Sequence, residues 1–225
     1  MRKFLVFLIL LAVALVVLDR VAVSGVQSEI ARQIAAKYDL SSEPKVEVRG
    51  IPFLTQAVAG HYDEISVGIG EMTTPDGARV SRIDAVLYGV RAPLMDLIQS
   101  PATADIRADR VTGTVVISKE TLDRRAPRGL KVTGGGDDSL NVTGKITVAG
   151  IEIPVNATMK ISVVSGGIRL TPEKVNGTQV PDAARLLSFN VPIKDLPLSL
   201  KIKSVRSTSE GLAVEGTATD VPLRA

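Results

Sequence analysis

The spacing of apolar positions changes twice along this chain. Phe4 to Leu18 is an unbroken apolar run of 15 residues, preceded by Arg2-Lys3 and interrupted by Asp19-Arg20. From Val21 the apolar positions recur every three or four residues, at Val23, Val26, Ile30, Ile34 and Tyr38, with Glu29, Arg32, Gln33 and Lys37 on other faces. That spacing predicts an amphipathic helix with one apolar stripe, in which Glu29 and Arg32 pair at i,i+3. Beyond Tyr38 the period is mostly two, the period of strands with one dry face and one wet face.

The clearest alternation lies in the middle of the chain. Leu140, Val142, Ile146 and Val148 alternate with polar residues, as do Ile151, Ile153, Val155, Ala157, Met159, Ile161 and Val163. A two-residue turn at Ala149-Gly150 pairs Val148 with Ile151, Ile146 with Ile153 and Val142 with Ala157, placing every apolar residue on one face. Shorter alternations predict strands at Val46-Val48, Ile65-Ile69, Arg79-Val90, Ala104-Ser118 and Ile168-Leu170. A last hairpin pairs Leu198, Leu200 and Ile202 with Leu212 and Val214 around Ser209-Glu210-Gly211. In Ala104-Ser118 the apolar face runs through Ala104, Ile106 and Ala108, then switches to Val111, Val115 and Ile117, which predicts a bulge or sharp twist. Short helices are expected at Leu54-Val58 (stopped by Gly60), at Pro93-Ser100, at Ser118-Arg125 with Ser118 as cap, and at Pro181-Leu187. Thr74-Pro75-Asp76-Gly77 reads as a turn. The fold class is therefore α+β: one long N-terminal helix against a β-rich body with few short helices.

Two positive charges followed by 15 apolar residues have the layout of an export signal. A helix of that length spans about 22 Å, less than a hydrocarbon core of about 30 Å, unless it extends through Val21-Val23 with Arg20 snorkelling. A cleaved signal and an uncleaved anchor both fit; the helical pattern running on without a processing site favours the anchor. Residues 1–20 are thus expected to be a signal sequence or membrane anchor, and 21–225 a single β-rich domain. With the positive end held in the cytoplasm, the body is exported to the outer face of the cytoplasmic membrane.

Composition narrows the chemistry. The chain has no Cys and no Trp, a single His, and a net charge of +3 from dispersed charges. Without Cys there is no disulfide, thiolate metal site, Cys nucleophile or lipid-modified Cys. Nucleic acid is excluded as a partner by the lack of a basic stripe with interleaved aromatics. A Ser-His-Asp triad would need His61, and no nucleophile elbow accompanies it. Asp63-Glu64 and Asp137-Asp138 are neighbours that point to opposite faces of a strand, so neither forms an acid/base couple. No phosphate loop or metal-ligand spacing is present, so no cofactor or metal is expected and the chain reads as a non-enzyme.

A sheet with one long dry face must cover it. If it curls around the long helix, the space left is either a groove fit for an acyl chain or a core filled by side chains. The residues that would line such a groove are Val26, Ile30 and Ile34 from the helix, and Val142, Ile146, Val148, Ile153, Val155, Met159 and Ile161 from the central hairpin. Leu200 and Ile202 from the last hairpin complete the lining, with Phe53 and Leu54 at its opening. The greasy terminus with Asp19-Arg20, the run Val48-Arg49-Gly50-Ile51-Pro52-Phe53-Leu54-Thr55-Gln56, and Gly60-His61-Tyr62-Asp63-Glu64-Ile65 resemble a family of exported actinobacterial proteins. That family includes the mycobacterial lipomannan elongation factor. The resemblance covers most of the chain. It implies a tubular lipid-binding (TULIP-like) fold, a long helix packed in a highly curved antiparallel sheet. It also implies binding of a phospholipid of phosphoinositide type and a role in envelope glycolipid assembly. The partners expected are that phospholipid, the cytoplasmic membrane through residues 4–18, and an envelope glycosyltransferase. The alternative reading is a structural or scaffolding envelope protein without lipid cargo.

Overall fold

The structure is a computed structural model. It describes residues 2–74, 77–93, 105–127, 129–136, 138–148, 151–165, 167–177, 186–193 and 200–223. The chain opens with one continuous helix, α1 (Arg2–Tyr38), which runs through Asp19-Arg20 without a break. There follow β1 (Lys45–Arg49), α2 (Phe53–Ala59), β2 (His61–Ile69), β3 (Met72–Thr73), β4 (Arg79–Arg91), β5 (Arg107–Ser118) and α3 (Lys119–Arg125). The rest of the chain is β6 (Leu130–Thr133), β7 (Ser139–Val148), β8 (Ile151–Val164), β9 (Gly167–Val175), β10 (Phe189–Pro192), β11 (Lys201–Ser207) and β12 (Gly211–Pro222). One sheet has the order β1-β2-β4-β5-β12-β11, with β3 on β4; the other has the order β10-β9-β8-β7-β6. The antiparallel sheet curls strongly, and with the long helix and few short ones this is the expected α+β, TULIP-like fold.

The central hairpin has the register its alternation dictates: Val148 opposite Ile151, Ile146 opposite Ile153, Val142 opposite Ala157. The face switch expected in β5 is present: Asp109 and Arg110 are both exposed between buried Ala108 and Val111. Beyond it the buried pair is Val116 and Ile117, with Val115 half-buried, so the dry face shifts once more than the alternation suggested. Ser118 caps α3, its Oγ accepting from the Thr121 amide at 3.3 Å, while Glu120 turns away to pair with Arg79 at 2.9 Å. The last hairpin forms between β11 and β12, with a register shift between Ile202 and Ser204; Leu198 of the expected strand lies outside the described residues. Residues 94–100 and 181–185 of the expected helices at Pro93 and Pro181, and residues 75–76 of the expected turn, lie outside the described residues; Leu186 and Leu187 are helical.

The chain divides into two compact units. Unit 2 holds residues 70–83 and 113–217. Its core is a continuous apolar cluster in which Leu140, Val142, Val155, Ala157 and Met159 of the central hairpin meet Leu122 of α3, Ile168 and Leu170 of β9, and Leu212 and Val214 of β12. The start of β4 is fastened to α3 by backbone-like bonds: the Thr121 hydroxyl accepts from the Arg79 amide at 2.7 Å and donates to its carbonyl at 3.0 Å.

Unit 1 holds residues 1–69, 84–112 and 218–225. Here α1 packs on β1 and α2 through Asp19, Val23 and Ala31, a seam with a step of four. The expected stripe differs in part: Val23 is buried and Ile30 and Ile34 are half-buried, but Val26 and Tyr38 are exposed. Ala31 is buried in place of Val26. Glu29 and Arg32 pair as expected, at 2.6 Å.

Asp19 is the pivot of that seam. Its carboxylate is buried, accepts from the Leu54 amide at 2.8 Å, and pairs with Arg20. The Leu54 amide is one of the orphan donors at the start of α2, and Pro52 offers no side-chain cap of its own. A residue 35 positions away therefore caps α2.

Two tests follow from these contacts. Leu140→Ala opens a void at a fully enclosed site and is expected to cost about 2–5 kcal/mol in urea unfolding, whereas Lys160→Ala on the wet face stays within about 0.5 kcal/mol. Asp19→Ala removes the cap, and hydrogen exchange at the Leu54 amide is expected to quicken about tenfold, with Asp19→Asn recovering part of the protection.

Candidate lipid-binding residues

The segment that carries the family resemblance folds into one compact corner of unit 1. Gly50 has φ +107, and a Cβ there would lie 2.2 Å from the Gln56 amide nitrogen; only glycine leaves room for that side chain. Gln56 uses the space to tie three segments together, donating to the Arg49 carbonyl at 3.3 Å and accepting from the Asp63 amide at 2.9 Å. The Ile51-Pro52 bond is cis, and the Thr55 hydroxyl donates to the Pro52 carbonyl at 2.8 Å. Gly60 ends α2 in the left-handed conformation, φ +67, where its amide closes on the Ala57 carbonyl.

Inside the corner, Phe53, Val23 and Val48 form a small buried cluster with Ala22, Ala57, Tyr62 and Ile65 packed against it. The rings of Phe53 and Tyr62 stand 6.0 Å apart, a contact distance for tilted aromatic pairs. Burial pushes the Tyr62 phenol above its ordinary value. The outer face of α2 is different. Leu54 and Val58 point away from the cluster and, with Ile51 before them, are exposed.

The expected groove residues fall into three environments. Phe53, Val142, Val155 and Met159 are enclosed by side chains, at 5% exposure or less. Ile30, Ile34, Ile146, Ile161, Leu200 and Ile202 are half-buried. Val26, Leu54 and Ile153 are exposed. Val148 lies in β7, paired with Ile151, and its side chain is outside the described residues. Val26, Ile30, Ile34, Phe53 and Leu54 belong to unit 1; the hairpin residues, Leu200 and Ile202 belong to unit 2. Periodicity found the dry face but not the exposure gradient along it: the hairpin is enclosed near Leu140 and Met159 and open near Ile151 and Ile153, its connecting end.

The wet side of the same hairpin bears a shallow depression of about 580 Å³, lined by residues that include Lys131, Lys145 and Glu152. Lys145 and Glu152 pair across it at 3.0 Å. Its lining is polar and charged, so it has no place for an acyl chain. His61 is exposed, and no group of three His, Cys, Asp or Glu among the described residues is arranged to hold a metal ion.

Among the described residues one helix, α1, is long and apolar enough to cross a membrane. The large side chains of Phe4 to Leu18 are 43–66% exposed, which is the exposure of a surface that meets no protein. No curated protein and no solved structure matches the chain. A family model described as LmeA-like phospholipid-binding matches residues 17–217, taking in the end of the apolar run, the corner around α2 and both sheets. The chain therefore belongs to the LmeA-like phospholipid-binding family.

Proposed function

We propose that this protein is a membrane-anchored phospholipid carrier that works outside the cytoplasm, binding or transferring a phospholipid in the assembly of envelope glycolipids. The observation that carries the reading is the family match over 17–217. It is supported by an apolar N-terminal run whose last residues overlap the start of the match, and by long strands with a dry face. In this reading Phe4–Leu18 holds the protein in the cytoplasmic membrane with its N-terminus inside. Residues 21–225 form the exported lipid-binding part, and an envelope glycosyltransferase is the partner that uses the lipid. A phosphoinositide-type headgroup is the form of phospholipid the resemblance favours. Binding, not catalysis, is its role.

An acyl chain needs apolar surface that side chains have not already covered, since each buried CH₂ is worth about 0.8 kcal/mol only if water leaves it. Among the candidate residues, that condition favours Ile146, Ile153, Ile161, Leu200 and Ile202 in unit 2 and Val26, Ile30, Ile34 and Leu54 in unit 1 over enclosed Val142, Val155, Met159 and Phe53. The filled core of unit 2 is also what a scaffolding protein without cargo would have, and this keeps the second reading in play.

Native mass spectrometry of the full chain, released from membranes in mild detergent, separates the two. The carrier is expected to retain a phospholipid, and Ile153→Asp, on an exposed strand position, is expected to lower its occupancy several-fold while the fold persists. Lipid that merely coats α1 would survive that substitution. No retained phospholipid and no uptake on incubation would rule the carrier out in favour of the scaffold.

A further inference from the structure

The outer face of α2 has no role in the packing described above. Phe53 and Ala57 face the cluster; one position on, Leu54 and Val58 face outward, a turn apart. Val58 is 80% exposed and Ile51 is 82% exposed. Three aliphatic side chains held out together by one bonded corner form a patch suited to an apolar surrounding.

The position of α2 along α1 says what that surrounding is. The Leu54 amide is bonded to Asp19, the first residue after the apolar run. Phe4–Leu18 fills about 22 Å of a hydrocarbon core about 30 Å thick, so the polar boundary of the bilayer falls within a turn or so beyond Asp19. Arg20, half-exposed beside Asp19, and Val21, 66% exposed, stand at the same level. α2 is seven residues long, about 10 Å, so its whole outer face lies near that boundary.

We infer that Ile51, Leu54 and Val58 form a membrane foot: a non-spanning contact that inserts its aliphatic side chains into the interface of the bilayer from which α1 emerges. The bond between Leu54 and Asp19 sets its depth. The corner made by Gly50, Gln56 and Gly60 keeps it rigid. The inference rests on the anchor reading of α1 but not on lipid cargo: a scaffold without cargo would make the same contact.

The chain has no Trp, so one introduced Trp reports one position. The full-length chain carrying Ile51→Trp, Val58→Trp or Tyr38→Trp is placed in vesicles of phosphatidylglycerol and phosphatidylcholine, the latter brominated high on its acyl chains. All three positions are exposed, so folding is preserved, as circular dichroism would check. Tyr38 lies about 29 Å along α1 from Asp19 and serves as the distant control. Bromolipid is expected to quench the Ile51→Trp and Val58→Trp chains at least about twofold, and to leave the Tyr38→Trp chain unquenched. Vesicle-bound chains in which Val58→Trp and Ile51→Trp are as unquenched as Tyr38→Trp would overturn the foot and leave the anchor standing, with the patch then facing a protein. Equal quenching of all three would mean α1 lies along the surface, which also overturns it. A chain that fails to float with the vesicles would remove the anchor and the foot together.

Discussion

A strand pattern with one dry face creates an obligation: the face must be covered, because water on it forfeits the main driving force for folding. The two units meet that obligation by different means. Unit 2 covers its sheet with its own side chains, with Leu122 from α3 and with β9, β10 and β12 closing on the central hairpin. Unit 1 has far less to bury, and does it with a helix that is mostly exposed. Three buried residues of α1, with Val48 and Phe53, are part of that cover. Polar bonds also join the segments of unit 1. Where apolar area is scarce, Gln56 and the Asp19 carboxylate hold segments together that a larger core would hold by packing alone.

The residues that bear the family resemblance are, on this view, chiefly architectural. Gly50 makes room for Gln56, Gln56 bridges β1 to β2, Thr55 closes the first turn of α2, and Gly60 ends it. Tyr62 supports Phe53. Such a run marks a family because each side chain has one geometric duty that few others can perform. Ile51 and Leu54 within the run, and Val58 just after its first part, have side chains that the corner displays.

Much of the fold was legible because alternation is a strong constraint. The β7–β8 register followed from the two-residue link and the rule that a slip by one would invert every side chain. The face switch in β5 was legible for the same reason: Ala108 and Val111 differ by three. Strands β6 and β10 were not seen; at four residues each they are too short for a period to emerge, and only their neighbours in the sheet define them. The continuity of α1 past Asp19-Arg20 was legible in the helical pattern that runs on through both charges, but the partner of the buried carboxylate was not. That partner, the Leu54 amide, is far away in the chain and is a backbone group, invisible to any side-chain pattern. The candidate site was legible only as a face. Alternation says which residues turn from water, not whether protein or ligand meets them, and Val142 and Ile153 read alike although one is enclosed and the other open.

The unbroken course of α1 has a mechanical consequence. In the anchored form proposed above, a helix that continues from the bilayer into the protein with no intervening loop transmits its tilt. Transmembrane helices tilt by about 20° on average, and over the roughly 29 Å from Asp19 to Tyr38 that angle displaces the far end by about 10 Å. Bilayer thickness, which sets how far a short apolar run must lean, would thereby reach Tyr38 as a lateral displacement. In a membrane whose thickness varies from place to place, an anchored α1 would act as a gauge needle for the lipid around it.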